Sequence, residues 1–209
     1  MEIRDEVNCW NLSVGDGTVV CVISTCLDCG STDLVFYEVR DRVFLAVVAM
    51  MVIRLASYVV RFRCRRCGKR MTQWPPFAVP KMRYVKQTIL ELGGAYVEQP
   101  EATYRSLVEF IGYESEEGEI DERKPSTWML WHCLNNLGEM DGILNWAKEL
   151  ILAKHPSDDL HRQGEPIPAK KYRSKAREGI LRVARDLIRA EARFVELFGR
   201  SCLPKFETG

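Results

Sequence analysis

Apolar and polar positions along this chain fall into two regimes, and the change comes near residue 80. Before it, 33–39 (DLVFYEV) and 57–63 (SYVVRFR) read as strands. Between them, 43–60 is apolar except for Arg54 and Ser57, and 43–53 is an uninterrupted apolar run. A membrane-spanning helix needs about 20 such residues, so the run predicts a buried strand or a core helix. Periodicity does not choose between those two. Residues 1–20 read as irregular, with a turn at Gly15-Asp16-Gly17. The stretch 71–80 (MTQWPPFAVP) holds three prolines and reads as an extended linker.

Beyond residue 80 the spacing becomes helical. Val85, Ile89 and Leu92 fall at i, i+4 and i+7, with Gly93-Gly94 as a stop. Pro100 suits a first helical position, and Tyr104, Leu107, Val108 and Ile111 form a face ending at Gly112. After an acidic loop at 114–123, Ser126 is a candidate N-cap for a helix carrying Trp128, Trp131 and Leu134. A helix over 142–153 stops at His155-Pro156, and the polar stretch 156–171, with Pro166 and Pro168, reads as a linker. The last helix, 172–199, is the longest and sets Ile180, Val183, Leu187, Ala190, Phe194 and Leu197 on one face.

Composition is that of an ordinary globular chain, 46% hydrophobic and 28% charged. The opening residues, MEIRDEVNCWNLSVGDG, lack the basic stretch and apolar core of a signal peptide. No export and no membrane association are expected, and a reducing cytoplasm is the expected compartment.

That compartment changes the reading of the eight cysteines. Four form two Cys-x-x-Cys pairs, Cys26/Cys29 and Cys64/Cys67, each followed by glycine (Gly30, Gly68). In a reducing compartment such pairs favour metal over disulfide. Four thiolates close a tetrahedral shell, so the expected cofactor is one structural zinc ion rather than a catalytic one. A single iron, as in rubredoxin-type carriers, suits the same ligands. Cys9, Cys21, Cys133 and Cys202 show no ligand spacing. The fold class that follows is α+β: a small N-terminal β zinc ribbon (1–72), a mainly helical domain (73–155), and a linker with a long amphipathic C-terminal helix (156–209).

The formal net charge of +1 conceals segregation: 61–90 contains nine basic residues and no acidic one. Arg61, Arg63, Arg65, Arg66, Lys69 and Arg70 flank the second cysteine pair, and Lys81, Arg83 and Lys86 follow. Phe62, Trp74, Phe77 and Tyr84 are interleaved with them. Cations for phosphates beside rings for stacking point to nucleic acid, DNA favoured over RNA. On the last helix, Arg182, Arg185, Arg189 and Arg193 fall opposite the apolar face and predict an outward basic stripe. A dimerising helix is the competing reading of that element.

TYRSLVEFIG, a turn and PSTWMLWH read like a helix-turn-helix with an enlarged turn. Taken with RFRCRRCGKRMTQWPPFAVPKMRY, residues 26–137 resemble a poorly characterised bacterial family. Its members join an N-terminal zinc ribbon to a transposase-like helix-turn-helix and occur around mobile DNA. The carrying motifs are the two cysteine pairs, the "CGK…PPF…P…RY" stretch, and Ser126, Thr127 and Trp131. The resemblance implies a DNA-binding accessory or regulatory protein of a mobile element. Two departures matter. The turn is stretched by the acidic 114–123, and 125–147 contains no Lys or Arg. Base reading would then fall to Ser126, Thr127, His132 and Asn135. A non-catalytic interaction subunit, contacting a protein partner or a second copy through the helical region, is the alternative. Catalysis is not expected: His132, His155 and His161 are scattered, Glu139, Asp141, Asp158 and Asp159 read as solvated acids, and no phosphate loop is present.

Overall fold

In a computed structural model, the described residues are 2–113, 125–159, 167, 174–204 and 206–208. The acidic loop at 114–123 and most of the stretch 156–171 lie outside them. The chain divides into two compact units. The first holds 1–46, 53–86 and 204–209; the second holds 47–52 and 87–203.

The first unit begins with a helix, α1 (Ile3–Gly15), where an irregular segment was expected. Ile3, Val7 and Trp10 recur at i, i+4 and i+7, and Asp5 and Glu6 sit in the first turn, where negative charge suits the helix dipole. Ile3 and Val7 are buried, and the Trp10 indole donates to the Tyr58 carbonyl at 2.9 Å.

The long apolar run becomes a hairpin, β1 (Leu34–Val48) and β2 (Met51–Cys64). Val43, Val47, Val48, Val52 and Ile53 are β-branched and lose side-chain freedom in a helix, which decides for strand. Ala49 and Met50 turn the chain with φ of 47° and 64°, the positive-φ pair that matches a two-residue turn to strand twist. β3 (Arg70–Gln73) lies antiparallel on β2, with Phe62 opposite Met71 and Arg63 opposite Arg70. A short β5 (Phe206–Thr208), which the sequence reading did not anticipate, extends the sheet beyond β3. Strand order is β1-β2-β3-β5.

The stretch 71–80 is not a linker. Trp74, Phe77, Ala78 and Val79 are buried, and Phe44 packs edge-on against both Trp74 and Phe77 at 6.2 and 5.3 Å. Three prolines forbid a ladder there but not burial: the Ala78 and Lys86 amides find the carbonyls of Pro75 and Phe77.

In the second unit, α2 (Lys86–Glu98) runs straight through Gly93-Gly94. The glycine at 93 marks a close approach rather than a stop, because a Cβ there would meet Leu134 and Ile188 at 3.2 and 3.3 Å. α3 (Tyr104–Val108) starts after Thr103, whose side chain and that of Ser106 cap each other's amides, and not at Pro100. β4 (Gly112–Tyr113) pairs parallel with Met51 and Val52. α4 (Thr127–Gly138) is capped by Ser126, which accepts from the Met129 amide at 3.0 Å. α5 (Asp141–Lys154) and α4 both pack on α6 (Lys175–Phe198), which ends at Gly199 in the left-handed conformation.

Candidate metal centre and its basic surround

Two loops with the same local geometry bring the four predicted ligands together. In each, the first cysteine's carbonyl accepts from the glycine amide four residues on: Gly30 to Cys26 and Gly68 to Cys64, both at 2.9 Å. Each first cysteine also donates its amide one residue further along, Cys26 to Ser31 at 2.7 Å and Cys64 to Lys69 at 2.9 Å. Gly30 and Gly68 carry φ of 69° and 75°, which explains glycine at both places. β2 ends on the second knuckle and the first precedes β1, so the hairpin sets their spacing. A small core of Ile23, Leu34 and Met71 lies against the cysteines.

The Sγ atoms of Cys26, Cys29, Cys64 and Cys67 all lie within 4.8 Å of one another. Cys26–Cys67 and Cys29–Cys64 are 3.7 and 3.6 Å apart. A disulfide would require about 2.05 Å, whereas four sulfurs about 2.3 Å from a zinc ion sit about 3.8 Å from each other. The spacing therefore fits one tetrahedral ion. Two of the thiols are shifted in opposite directions. The Cys67 amide, with help from Cys29 and Arg66, pulls Cys64 down to about 7 against the effect of burial. For Cys67, the Lys69 amide lowers the pKa, but burial and the sulfurs of Cys29, Cys26 and Cys64 together push it up to about 12. Four thiolates this close ionise together only around a cation. The remaining cysteines form no such cluster among the described residues. Cys133 is buried, and burial pushes its thiol up to about 12; Cys202 is buried and Cys9 exposed.

The predicted cations divide into three groups. Some face acids of the same unit: Arg61 donates to Glu38 at 2.6 Å and is mostly buried, Arg65 lies 3.9 Å from Asp33, and Lys69 lies 4.0 Å from Asp28. Arg63, Arg66, Arg70 and Arg83 are exposed and, among the described residues, make no ion pair. The Arg70 guanidinium sits 4.8 Å from the centre of the Tyr37 ring. Lys81 is exposed and Lys86 half-buried.

The outward basic stripe expected of the last helix does not form as a whole. Arg185 is 2% exposed and donates to Asp186, which also meets Lys148 at 3.5 Å. Arg182 lies 3.7 Å from Glu178, Arg189 grips Glu98 with two hydrogen bonds of 2.7 and 2.8 Å, and Arg193 bonds Asp158 and Glu196. A helix packed on two others buries a wider stripe than a one-sided amphipathic wheel allows, and Leu181, Ala184 and Arg185 fall within it.

Of the residues expected to form a helix-turn-helix, Ser126 and Thr127 are exposed, with Ser126 committed to its cap. The spacing reads Trp128 and Trp131 as apolar positions of the helix, and both are exposed on that surface. Trp128 is 67% exposed and stacks flat on His132 at 5.0 Å, while Trp131 lies beneath Arg177. The absence of Lys and Arg from 125–147 is the sequence signal that agrees with it.

Comparison with family models, curated proteins and solved structures gives no match to this chain.

No described helix is long and apolar enough to cross a membrane.

Proposed function

We propose that this chain is a non-catalytic nucleic-acid-binding protein whose ribbon is closed by one structural zinc ion on Cys26, Cys29, Cys64 and Cys67. The ion supplies rigidity by tying two loops together, and with no open coordination position it takes no part in a reaction. The observation that carries the binding reading is the strand register. Arg63 and Arg70 stand directly opposite one another, with Arg66 on the adjacent knuckle and no ion pair at any of the three among the described residues. Like charges opposed on a sheet destabilise it, and a bound phosphate reverses that sign. Tyr37, already beside Arg70, offers a ring face for a base. DNA is favoured over RNA, and the role resembled is that of an accessory or regulatory protein of a mobile element, acting in the cytoplasm.

Binding to a short single-stranded and a duplex DNA, measured at several salt concentrations, tests this. Arg63→Glu, Arg66→Glu and Arg70→Glu together should weaken binding at least a hundredfold across all sequences, with zinc content unchanged. Unchanged affinity would sink the reading.

A second reading belongs to α4. Its exposed Trp128 and Trp131, with no basic residue on the helix, favour a protein contact there over base reading. The chain would then join a larger nucleoprotein assembly through that helix. Trp128→Ala should abolish capture of such a partner while leaving DNA affinity intact.

A further inference from the structure

The outer edge of β1 changes character along its length. Near the tip it is covered: the Leu45 amide donates to the Arg83 carbonyl at 3.0 Å, the Leu45 carbonyl accepts from Val85 at 2.8 Å, and the Val47 amide donates to Thr88 Oγ1 at 2.9 Å. Over 34–42 no strand or loop bonds that edge among the described residues, and β1 is the terminal strand of the sheet. Natural proteins blunt such edges by keeping them short, covered or charged. This one is nine residues long and exposes Phe36 (61%), Tyr37 (38%) and Val39 (38%).

Its charges decide what fits. The order is Phe36-Tyr37-Glu38-Val39-Arg40-Asp41-Arg42. Laid antiparallel on a second copy with Val39 opposite Val39, each Glu38, which accepts from Arg61 and Arg40 of its own chain at 2.6 and 2.8 Å, also faces the other copy's Arg40. Each Phe36 then faces Arg42, whose guanidinium lies 4.9 Å from the centre of its own chain's Trp74 ring, and each Tyr37 faces Asp41. No like charges are opposed. Sliding the pairing by one step of the pleat, to centre on Glu38 or on Arg40, sets two carboxylates or two guanidiniums against each other. We propose that the chain forms a twofold dimer by antiparallel pairing of the 34–42 edges in the Val39-centred register. Such a contact is self-complementary and closed, as twofold interfaces must be. It does not rest on the nucleic-acid reading.

Sedimentation equilibrium of the full, zinc-loaded chain tests it, with zinc stoichiometry and circular dichroism showing that each variant is folded. The wild-type chain should dimerise. Arg40→Glu alone, or Glu38→Arg alone, opposes like charges at both symmetry-related places and should raise the dimer Kd about tenfold or more. Mixed together, the two variants restore opposite charges at both places and should form a heterodimer near wild-type affinity. Val39→Lys, which touches neither charge, should also weaken the dimer. A wild-type chain that stays monomeric overturns the proposal and leaves the edge to a strand of a different protein. So does a dimer unmoved by these substitutions, or a mixture that fails to recover.

Discussion

Gly138 is the tightest point described in the helical unit, because a Cβ there would sit 2.5 Å from the carbonyl oxygen of Ile180. The neighbour is backbone within α6 and cannot swing aside. Gly138→Ala should therefore cost about 1–3 kcal/mol through overpacking, despite alanine's better helix propensity. Gly142→Ala, with open space around its Cβ, should be neutral or stabilise by up to about 1 kcal/mol. Urea unfolding of both variants checks the contrast. Glu38 gives a second single-residue test. Partial burial raises its pKa, but the hydrogen bond from Arg61 and the charge of Arg40 outweigh that and leave it lowered. A carboxyl lowered in the folded state adds stability above its ordinary pKa of about 4.3, and that stability is lost as pH falls through the folded value. The melting-temperature gap between wild type and Glu38→Gln should thus be widest near neutrality and close as pH drops below about 4.

Among the elements, the two knuckles carry the clearest test and were the easiest to read. On the proposed zinc assignment, Cys29→Ser or Cys64→Ser should abolish stoichiometric zinc and the local fold around it, since a structural zinc ion contributes on the order of 10 kcal/mol. Cys133→Ser, at a buried thiol outside the cluster, should keep one zinc per chain by elemental analysis; a coloured protein would instead indicate iron. The knuckles were legible because a metal site is written in local spacing, two residues between cysteines and a glycine after each pair. Ser126 was legible as a cap for the same reason. What escaped was non-local. Trp74 and Phe77 sit among prolines that look like a linker, and only Phe44, some thirty residues earlier, explains their burial. Gly93-Gly94 looked like a helix stop because Leu134 and Ile188, which require the small residue, are distant in sequence. Arg185 looked outward because the wheel treats a helix as one-sided, while α6 is gripped by both α4 and α5. Ile3, Val7 and Trp10 were readable but were lost among the polar residues between them.

At the scale of the whole molecule, a net charge of +1 predicts no pull toward a polyanion, and its distribution does. Many of the cations are spent internally: Arg61 on Glu38, Arg189 on Glu98, Arg193 on Asp158 and Glu196. Long-range attraction then falls to cations that make no ion pair among the described residues, and Arg63, Arg66 and Arg70 lie together on or beside one knuckle. If each neutralises one phosphate, replacing all three by alanine should reduce the slope of log affinity against log salt by about 2 for single strands and nearer 3 for duplex. Alanine at Arg182, Arg189 and Arg193 should instead leave that slope within error and lower stability, since those side chains already hold carboxylates. The two sets carry equal formal charge, so net charge cannot account for a difference between them. Only a local phosphate-binding surface beside the cysteine cage predicts that the first set alone changes the salt dependence.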